Sequence, residues 1–159
     1  MRKRVLIITY YWPPAGGSGV QRWVKFAKYL RDFGWEPVIF TAENGDYPII
    51  DKQIGEDLPK NIEVIKSPIT EPYEWYKKFT GKKKNEKIDA NFLSQGKKMG
   101  LKDKIAVWIR GNLFIPDAKS LWIRPASKHL ISYLQEHPID AMISTGPPHS
   151  CHMIALRVH

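Results

Sequence analysis

The chain has 159 residues, of which 43% are hydrophobic and 12% are aromatic. This length and composition are typical of one globular domain and exclude a chain that is disordered throughout. The single cysteine, Cys151, excludes an internal disulfide framework and favours a reducing compartment, and no group of Cys and His residues has zinc-ligand spacing, so we predict no metal site. The longest apolar run is too short to cross a bilayer and the first residues lack the pattern of a signal peptide, so we expect a cytoplasmic protein.

The net charge of +9 is concentrated in one part of the sequence. Ten lysines and three acidic residues lie between Lys77 and Lys104, so this stretch alone carries a net charge of +7. Lysines without arginine forks or interleaved aromatic residues suit attraction to phosphate or to an anionic membrane better than base readout, and we expect no nucleic-acid partner. The candidate membrane or anion patch is Lys82, Lys83 and Lys84. A solvated insertion with no binding role is the alternative.

The first part of the chain has the pattern of a strand, a helix and a second strand. The apolar run from Arg4 to Tyr10 predicts a strand that is buried on both faces of a parallel sheet. Apolar residues then recur at helical spacing, and Gly34 ends this helix. The inward positions of the helix are Val20, Trp23, Val24, Ala27 and Leu30. A second strand over Glu36 to Ala42 completes a βαβ unit.

Strands and helices continue to alternate in the rest of the chain. Asn61 to Ser67 predicts a third strand, after a connection with room for a short helix, and residues 69–100 lose periodicity and predict an irregular, lysine-rich excursion. Helices are predicted over Leu101 to Phe114 and from about Trp122 to Glu136. A fourth strand, Ile139 to Thr145, leads to a last helix that starts in CHMIALRV. The sequence therefore predicts an α/β fold with a Rossmann-like parallel sheet and flanking helices, truncated before its last elements.

The loop after the first strand, PPAGGSG, has an unusual composition. In an open parallel sheet, the loops at the carboxyl ends of the strands line the crevice where ligands bind. Gly16, Gly17 and Gly19 carry no side chains there and leave backbone N–H groups free at a helix N-terminus, an arrangement that attracts anions. Ser18 either caps the helix or donates to a phosphate, and Arg22 lies one turn further along. We predict a phosphate site at these five residues; a tight turn capped by Ser18 is the alternative.

The loop after the fourth strand, STGPPHSCH, follows the same edge of the predicted sheet. His149 is the candidate catalytic residue, because a histidine beside a phosphate site can donate to a substrate oxygen or transfer a proton. A loop histidine without such a role is the alternative. We expect His152, which lies further into the helix, to be a packed residue.

The glycine loop matches neither of the common nucleotide-binding motifs. A dinucleotide fingerprint needs a third glycine where this chain has Arg22, and the acidic residue expected after the second strand is only the poorly placed Glu43. The Walker pattern is absent as well. These departures make a nicotinamide-dependent oxidoreductase a weaker interpretation.

Two segments of the chain together resemble bacterial family-4-type glycosyltransferases of the GT-B fold. VLIITYYWPPAGGSGVQRWVKFAKYLRDFGWEPVIFTA looks like their opening strand, Pro- and Gly-rich loop, helix and second strand, and LWIRPASKHLISYLQEHPIDAMISTGPPHSCHMIAL is similar to the later part of the same N-terminal domain. The resemblance covers nearly the whole chain outside the lysine-rich excursion. It departs after the fourth strand, where many relatives have a histidine and this chain has Ser144 and Thr145.

The resemblance implies that residues 1–159 are the N-terminal, acceptor-side half of a two-domain enzyme, without its C-terminal donor-binding domain. The activity it implies is a retaining transfer of a sugar from a nucleotide-diphosphate donor to a glycan or lipid-linked acceptor of the cell envelope, at the cytoplasmic membrane surface. It implies that Gly16, Gly17 and Gly19 face the donor diphosphate and that no further cofactor is needed. The chain alone is expected to be inactive. The alternative is a stand-alone Rossmann-like module that binds an anionic partner without catalysis.

Overall fold

The computed structural model describes residues 2–56, 58–59, 61–69 and 115–159. Within these ranges the strands are β1 (Lys3–Ile8), β2 (Trp35–Ala42), β3 (Glu63–Ser67) and β4 (Ala141–Ser144). The α-helices are α1 (Ser18–Tyr29), α2 (Ile123–Glu136) and α3 (Ser150–Val158). The four strands form one all-parallel sheet in the order β3-β2-β1-β4. The predicted α/β fold with a Rossmann-like sheet is confirmed.

The central strand β1 is buried on both faces of the sheet. Its register pairs Leu6 with Val38 of β2 and with Met142 of β4. Leu6 belongs to the apolar cluster under α2 and α3, whereas its neighbour Ile7 belongs to the cluster under α1. Side chains alternate between the faces of a strand, so the uninterrupted apolar run in the sequence reflects a helix layer on each side.

Aromatic side chains fill the larger of the two apolar clusters. Trp122 is fully buried and stacks on Phe40, with ring centroids 5.8 Å apart, and Tyr10 meets Trp122 edge-on at 6.2 Å. The inward residues of α2 complete this layer, as helical spacing predicts; they are Ile123, Ala126 and Leu130. Each such aromatic contact adds about 0.5–1.5 kcal/mol beyond the contribution of the buried area, so these rings stabilise the packing on this side of the sheet.

The ends of several elements differ from the prediction. β1 ends at Ile8 rather than Tyr10, and beyond its end the Tyr10 carbonyl accepts from the Thr41 hydroxyl, 3.2 Å away. α1 begins at Ser18, two residues before the first inward position. Between β2 and β3, the described residues form turns and bends rather than a short helix.

Part of the sequence prediction lies outside the described residues. This holds for the excursion from residue 70 to 100, with Lys82, Lys83 and Lys84, and for the helix predicted over Leu101 to Phe114. In the ranges that are described, none of the helices combines the length and the apolar character needed to span a bilayer.

Candidate functional site

The loops after β1 and β4 meet at the carboxyl edge of the sheet. Trp23, on the second turn of α1, donates its indole N–H to the hydroxyl of Thr145, 2.9 Å away, at the end of β4. The backbone N–H of Thr145 also bonds to the Ile8 carbonyl at 3.0 Å, which extends the pairing of β4 with β1 by one residue. Sequence reasoning assigned Trp23 only to packing, and spacing alone does not reveal a partner 122 residues away.

Gly17, not Ser18, is the N-cap of α1. Gly17 has φ 108° and ψ 167°, a conformation that side chains disfavour, and no side chain in the described ranges caps the helix. The alternative role of Ser18 as the cap is therefore wrong, because Ser18 is already the first helical residue. The N–H groups of the first helical residues have no intrahelical acceptor, and within the described chain no other group accepts from Ser18 or Gly19.

A short strand-like contact anchors the glycine loop. The N–H of Gly16 donates to the Ile49 carbonyl and the N–H of Asp51 donates to the Pro14 carbonyl, both at 2.9 Å, around an antiparallel bridge between Ala15 and Ile50. The Gly16 N–H is thus engaged inside the protein, and it is not one of the free donors that the sequence predicted. A Cβ at Gly16 would lie 2.8 Å from the Ile49 side chain, so close packing explains this glycine.

Gly19 has neither of these explanations. A Cβ at this position would meet no atom of the described residues within 4 Å, and its backbone lies in an ordinary helical turn. The loop therefore presents an open surface at Ser18 and Gly19, directly at the positive end of the α1 dipole.

A groove of about 560 Å³ runs along α1 beside this surface. Its helical wall carries Arg22 and Lys25, with Ser18 at the N-terminal end, and Asp51 and Ile54 lie on the opposite wall. The Arg22 guanidinium lies over the Trp23 ring, 5.6 Å from its centroid. The Arg22 cation, one turn from the helix N-terminus, favours an anion there, and the volume of the groove has room for a larger ligand.

The two histidines of the β4 loop both lie at the surface. His152 is exposed, so its prediction as a packed residue is wrong; α3 turns Cys151 and Ile154 toward the core and leaves position 152 outside. The Nδ1 atom of His152 lies 2.8 Å from the Ser144 hydroxyl. His149 is exposed at the N-cap of α3, and its ring centroid lies 5.8 Å from that of His152.

Gly146 allows the two imidazoles to approach the β4 loop. A Cβ on Gly146 would lie 2.7 Å from His152 Nε2 and 3.2 Å from His149 Nδ1. Both rings therefore lie against the same backbone position, and any side chain there would displace them. Proton donors and acceptors for a bound oxygen are thus available at this end of the sheet.

Asp117 holds the start of α3 from a distant part of the chain. Its carboxylate accepts the Ser150 N–H at 2.8 Å and the Ser150 hydroxyl at 2.7 Å, and it also accepts the N–H of Lys119 at 2.8 Å. A carboxylate at a helix N-terminus satisfies free donors and is favoured by the helix dipole. Asp117 therefore fixes the helix that carries His152, and no sequence motif links residues 33 positions apart.

The thiol of Cys151, next to this cap, is unreactive at neutral pH. Burial, followed by the nearby Asp117 carboxylate, raises the pKa of Cys151 to about 12. The neutral thiol is not a nucleophile, so Cys151 is a core residue at neutral pH.

Among the residues that the structure describes, no three His, Cys, Asp or Glu side chains are grouped so as to hold a metal ion. The candidate site is therefore the carboxyl edge of the sheet. It contains the α1 N-terminus, the cations of the groove and the histidines of the β4 loop, and the hydrogen bond between Trp23 and Thr145 joins α1 to the β4 loop. No protein-family model, curated protein or solved structure matches the chain.

Proposed function

We propose that this chain is the N-terminal, acceptor-side domain of a retaining glycosyltransferase, which transfers a sugar from a nucleotide-diphosphate donor to a glycan or lipid-linked acceptor. The observation that carries the proposal is the open N-terminus of α1, where the N–H groups of Ser18 and Gly19 lack an acceptor in the described chain beside the cation of Arg22. The resemblance to family-4-type enzymes supports the same assignment. On this proposal the chain needs a donor-binding domain for activity.

The chemistry of sugar transfer suits these groups. Negative charge grows on the diphosphate as the bond to the sugar breaks, and backbone N–H groups and cations that are already oriented stabilise that charge. The α1 dipole and Arg22 supply both kinds of group. The histidines of the β4 loop would then face the sugar or the acceptor, with His149 as the candidate for proton transfer.

Gly19 gives the strongest support for a ligand at this loop. Packing explains Gly16 and backbone conformation explains Gly17, but neither explains Gly19. A glycine in open space at a helix N-terminus permits a phosphate to approach the backbone closely.

Titration of the isotope-labelled chain with nucleoside diphosphates, followed by NMR, tests the proposal. We expect amide shifts at Gly17, Ser18 and Gly19 with a nucleoside diphosphate or pyrophosphate and no shifts with the nucleoside alone. Gly19→Ala and Arg22→Gln should weaken the response, whereas Arg124→Gln, which removes an equal charge on the other side of the sheet, should not. Shifts that avoid the α1 N-terminus at millimolar diphosphate would contradict the proposal.

Membrane contact through Lys82, Lys83 and Lys84 is the partner we propose for the lysine-rich excursion. Its support is the net charge of +7 between Lys77 and Lys104, since each lysine near an anionic surface contributes about 1 kcal/mol at best. Changing the three lysines to glutamate should weaken binding to anionic liposomes, and unchanged binding would defeat this role.

The alternative function is a stand-alone module that binds an anionic partner without catalysis, which the same charge favours. A module of this kind would bind many polyanions with a steep salt dependence. Selective response to diphosphates at the α1 N-terminus would favour the transferase instead.

A further inference from the structure

The groove beside α1 has polar groups on both of its walls. The lining residues that α1 contributes recur at helical spacing and therefore share one face of the helix; they are Ser18, Gln21, Arg22 and Lys25. Asp51, Gln53 and Ile54 lie on the other wall. The volume of about 560 Å³ is in the range of small-ligand sites, which is roughly 300–1,000 Å³. A ligand in the groove would therefore meet cations, amides, a hydroxyl and a carboxylate.

The wall opposite α1 is fixed to the glycine loop. The N–H of Asp51 donates to the Pro14 carbonyl at 2.9 Å, and a Cβ on Gly55 would lie 3.4 Å from the Pro13 side chain. The Oδ1 atom of Asp51 accepts the N–H of Gln53 at 3.0 Å, and its Oδ2 atom makes no hydrogen bond within the described residues. The turn thus orients this carboxylate and leaves one oxygen for a ligand.

Arg22 and Asp51 line the same groove but do not form an ion pair. Their charged groups lie more than 4.0 Å apart, whereas at the amino edge of the sheet Arg4 pairs with Glu63 at 2.9 Å. The contact that the described structure gives the Arg22 guanidinium is with the Trp23 ring. Opposite charges that face one groove without touching leave room for a ligand between them, and the ligand can satisfy both.

The chemistry of the two walls distinguishes between classes of ligand. A guanidinium favours a carboxylate or a phosphate, and the sequence of α1 contains no acidic residue that would compete. A carboxylate such as that of Asp51 repels a simple anion but accepts hydrogen bonds from hydroxyl groups, and the amides of Gln21 and Gln53 both donate and accept. A saccharide that carries an acid group satisfies both walls, whereas a neutral sugar or a simple anion satisfies one.

We propose that this groove binds the acceptor and that the acceptor is an acidic saccharide. Its carboxylate or phosphate would contact Arg22 and Lys25, and its hydroxyls would donate to Asp51. The inference rests on the proposed transferase function, because it names the second substrate of that reaction. Lys25 lies about 10 Å along the helix axis from Ser18. The acid group would therefore lie beyond the donor diphosphate at the α1 N-terminus rather than in its place.

Amide NMR spectra of the isotope-labelled full chain test the proposal with four probes. The probes are methyl glucuronide, glucose 6-phosphate, methyl glucoside and acetate. We expect the two acidic sugars to shift the amides of Gln21, Arg22 and Gln53 at concentrations about tenfold lower than the neutral sugar or acetate, since only they use both walls. The tighter of the two acidic sugars identifies the acid group as a carboxylate or a phosphate.

Asp51→Asn gives a result whose sign separates recognition from simple attraction. The substitution removes a negative charge, so attraction alone predicts tighter binding of the acidic sugars. The proposal predicts binding about tenfold weaker, because the sugar hydroxyls lose a charged acceptor. Asparagine keeps an oxygen for the Gln53 N–H, and thermal unfolding establishes that the variant remains folded. Asp32→Asn, which removes the same charge at an exposed position outside the groove lining, should not weaken binding.

Lys25→Gln separates the acceptor groove from the diphosphate site. It should weaken binding of the acidic sugars about fivefold, the effect of losing one exposed charge contact. The shifts of Gly17 and Gly19 with a nucleoside diphosphate should remain, because Lys25 lies two turns from them. Lys28→Gln is the matched control, since Lys28 belongs to the same helix but does not line the groove.

The outcomes separate this inference from the proposed function. Equal responses to acetate and to the acidic sugars, or tighter binding by Asp51→Asn, would overturn the inference and make the groove a surface that merely attracts anions. Absence of shifts at Gln21, Arg22 and Gln53 with every sugar, while a nucleoside diphosphate still shifts Gly17 and Gly19, would overturn the inference and leave the transferase proposal standing. Absence of both responses would overturn both.

Discussion

Gly16, Gly17 and Gly19 stand within four residues of one another, and the structure gives each a different environment. Gly16 is pressed against Ile49, Gly17 has a positive φ of 108°, and Gly19 has no neighbour within 4 Å of its Cβ position among the described residues. The sequence treats all three as a loop of free N–H groups. Only the structure shows that Gly16 is required by close packing and Gly17 by its backbone conformation, whereas neither requirement applies to Gly19.

Gly17→Ala should destabilise the protein, and Gly19→Ala should not. A side chain at φ 108° is strained, so we expect the free energy of unfolding to fall by about 1–3 kcal/mol for Gly17→Ala. Alanine at position 19 meets no atom of the described residues and has a higher helix propensity, which predicts a change between zero and a gain of about 1 kcal/mol. Urea denaturation measures both variants, and equal losses would contradict the separate roles of these glycines.

Cys151 should make the protein less stable at alkaline pH. Burial raises the pKa of the thiol from 9.0 to about 12, so the folded state holds this proton more tightly than the unfolded state. The contribution is fully present below pH 9.0 and is lost as the pH rises toward 12. Thermal unfolding between these limits should show a steeper decline for the wild type than for Cys151→Ala. Parallel declines would show that the thiol does not titrate as its burial requires.

At the scale of elements, the start of α3 depends on Asp117. Replacing Asp117 with alanine removes the acceptor for two backbone N–H groups and one hydroxyl, and we expect a loss of about 1–2 kcal/mol in the free energy of unfolding. Asp32→Ala, at an exposed position with no hydrogen bond in the described structure, is the control. A loss no larger than that of the control, measured by chemical denaturation, would mean that Asp117 does not hold the helix.

Tyr133 connects three elements at the other edge of the sheet. Its hydroxyl accepts from Arg4 of β1 at 2.8 Å and donates to Glu63 of β3, while Arg4 also pairs with Glu63 at 2.9 Å. Tyr133→Phe removes both hydroxyl contacts of α2, and we expect it to cost about 1 kcal/mol because the site is only partly buried. Tyr29→Phe, on the exposed side of α1, should cost much less when both variants are compared in urea.

Apolar periodicity predicted most of the elements, but local backbone conformation and hydrogen bonds determine where the elements end. The runs in β1 and β2 and the spacing in α2 give the right strands and helix, because burial on two faces or on one stripe leaves a clear pattern. The same reasoning failed at Ser18, where Gly17 takes the cap, and at His152, which the short helix turns outward. The contact of Asp117 with α3 is invisible to any local pattern, since it joins residues 33 positions apart.

On the scale of the whole molecule, the sheet separates two basic surfaces. The glycine loop and its groove lie with α1, and a second group of cations, Arg124, Lys128 and Arg157, lies with the helices of the other face. The sequence predicted the carboxyl edge as the site, because parallel strands bring their following loops together. It did not predict this second group, since Arg124 and Arg157 become neighbours only when α2 and α3 pack side by side.

The most direct test of the transferase proposal is to sequence the gene beyond the His159 codon and to assay the protein of the complete open frame with nucleotide-sugar donors. The proposal predicts a second βα-rich domain with paired glutamates and transfer from a nucleotide-diphosphate sugar. It also predicts that Gly19→Ala lowers kcat by about 10²-fold, the effect of disturbing one group that stabilises developing charge. A stop codon at or just after His159, or a complete protein that transfers no sugar, would contradict the proposal and favour the binding module.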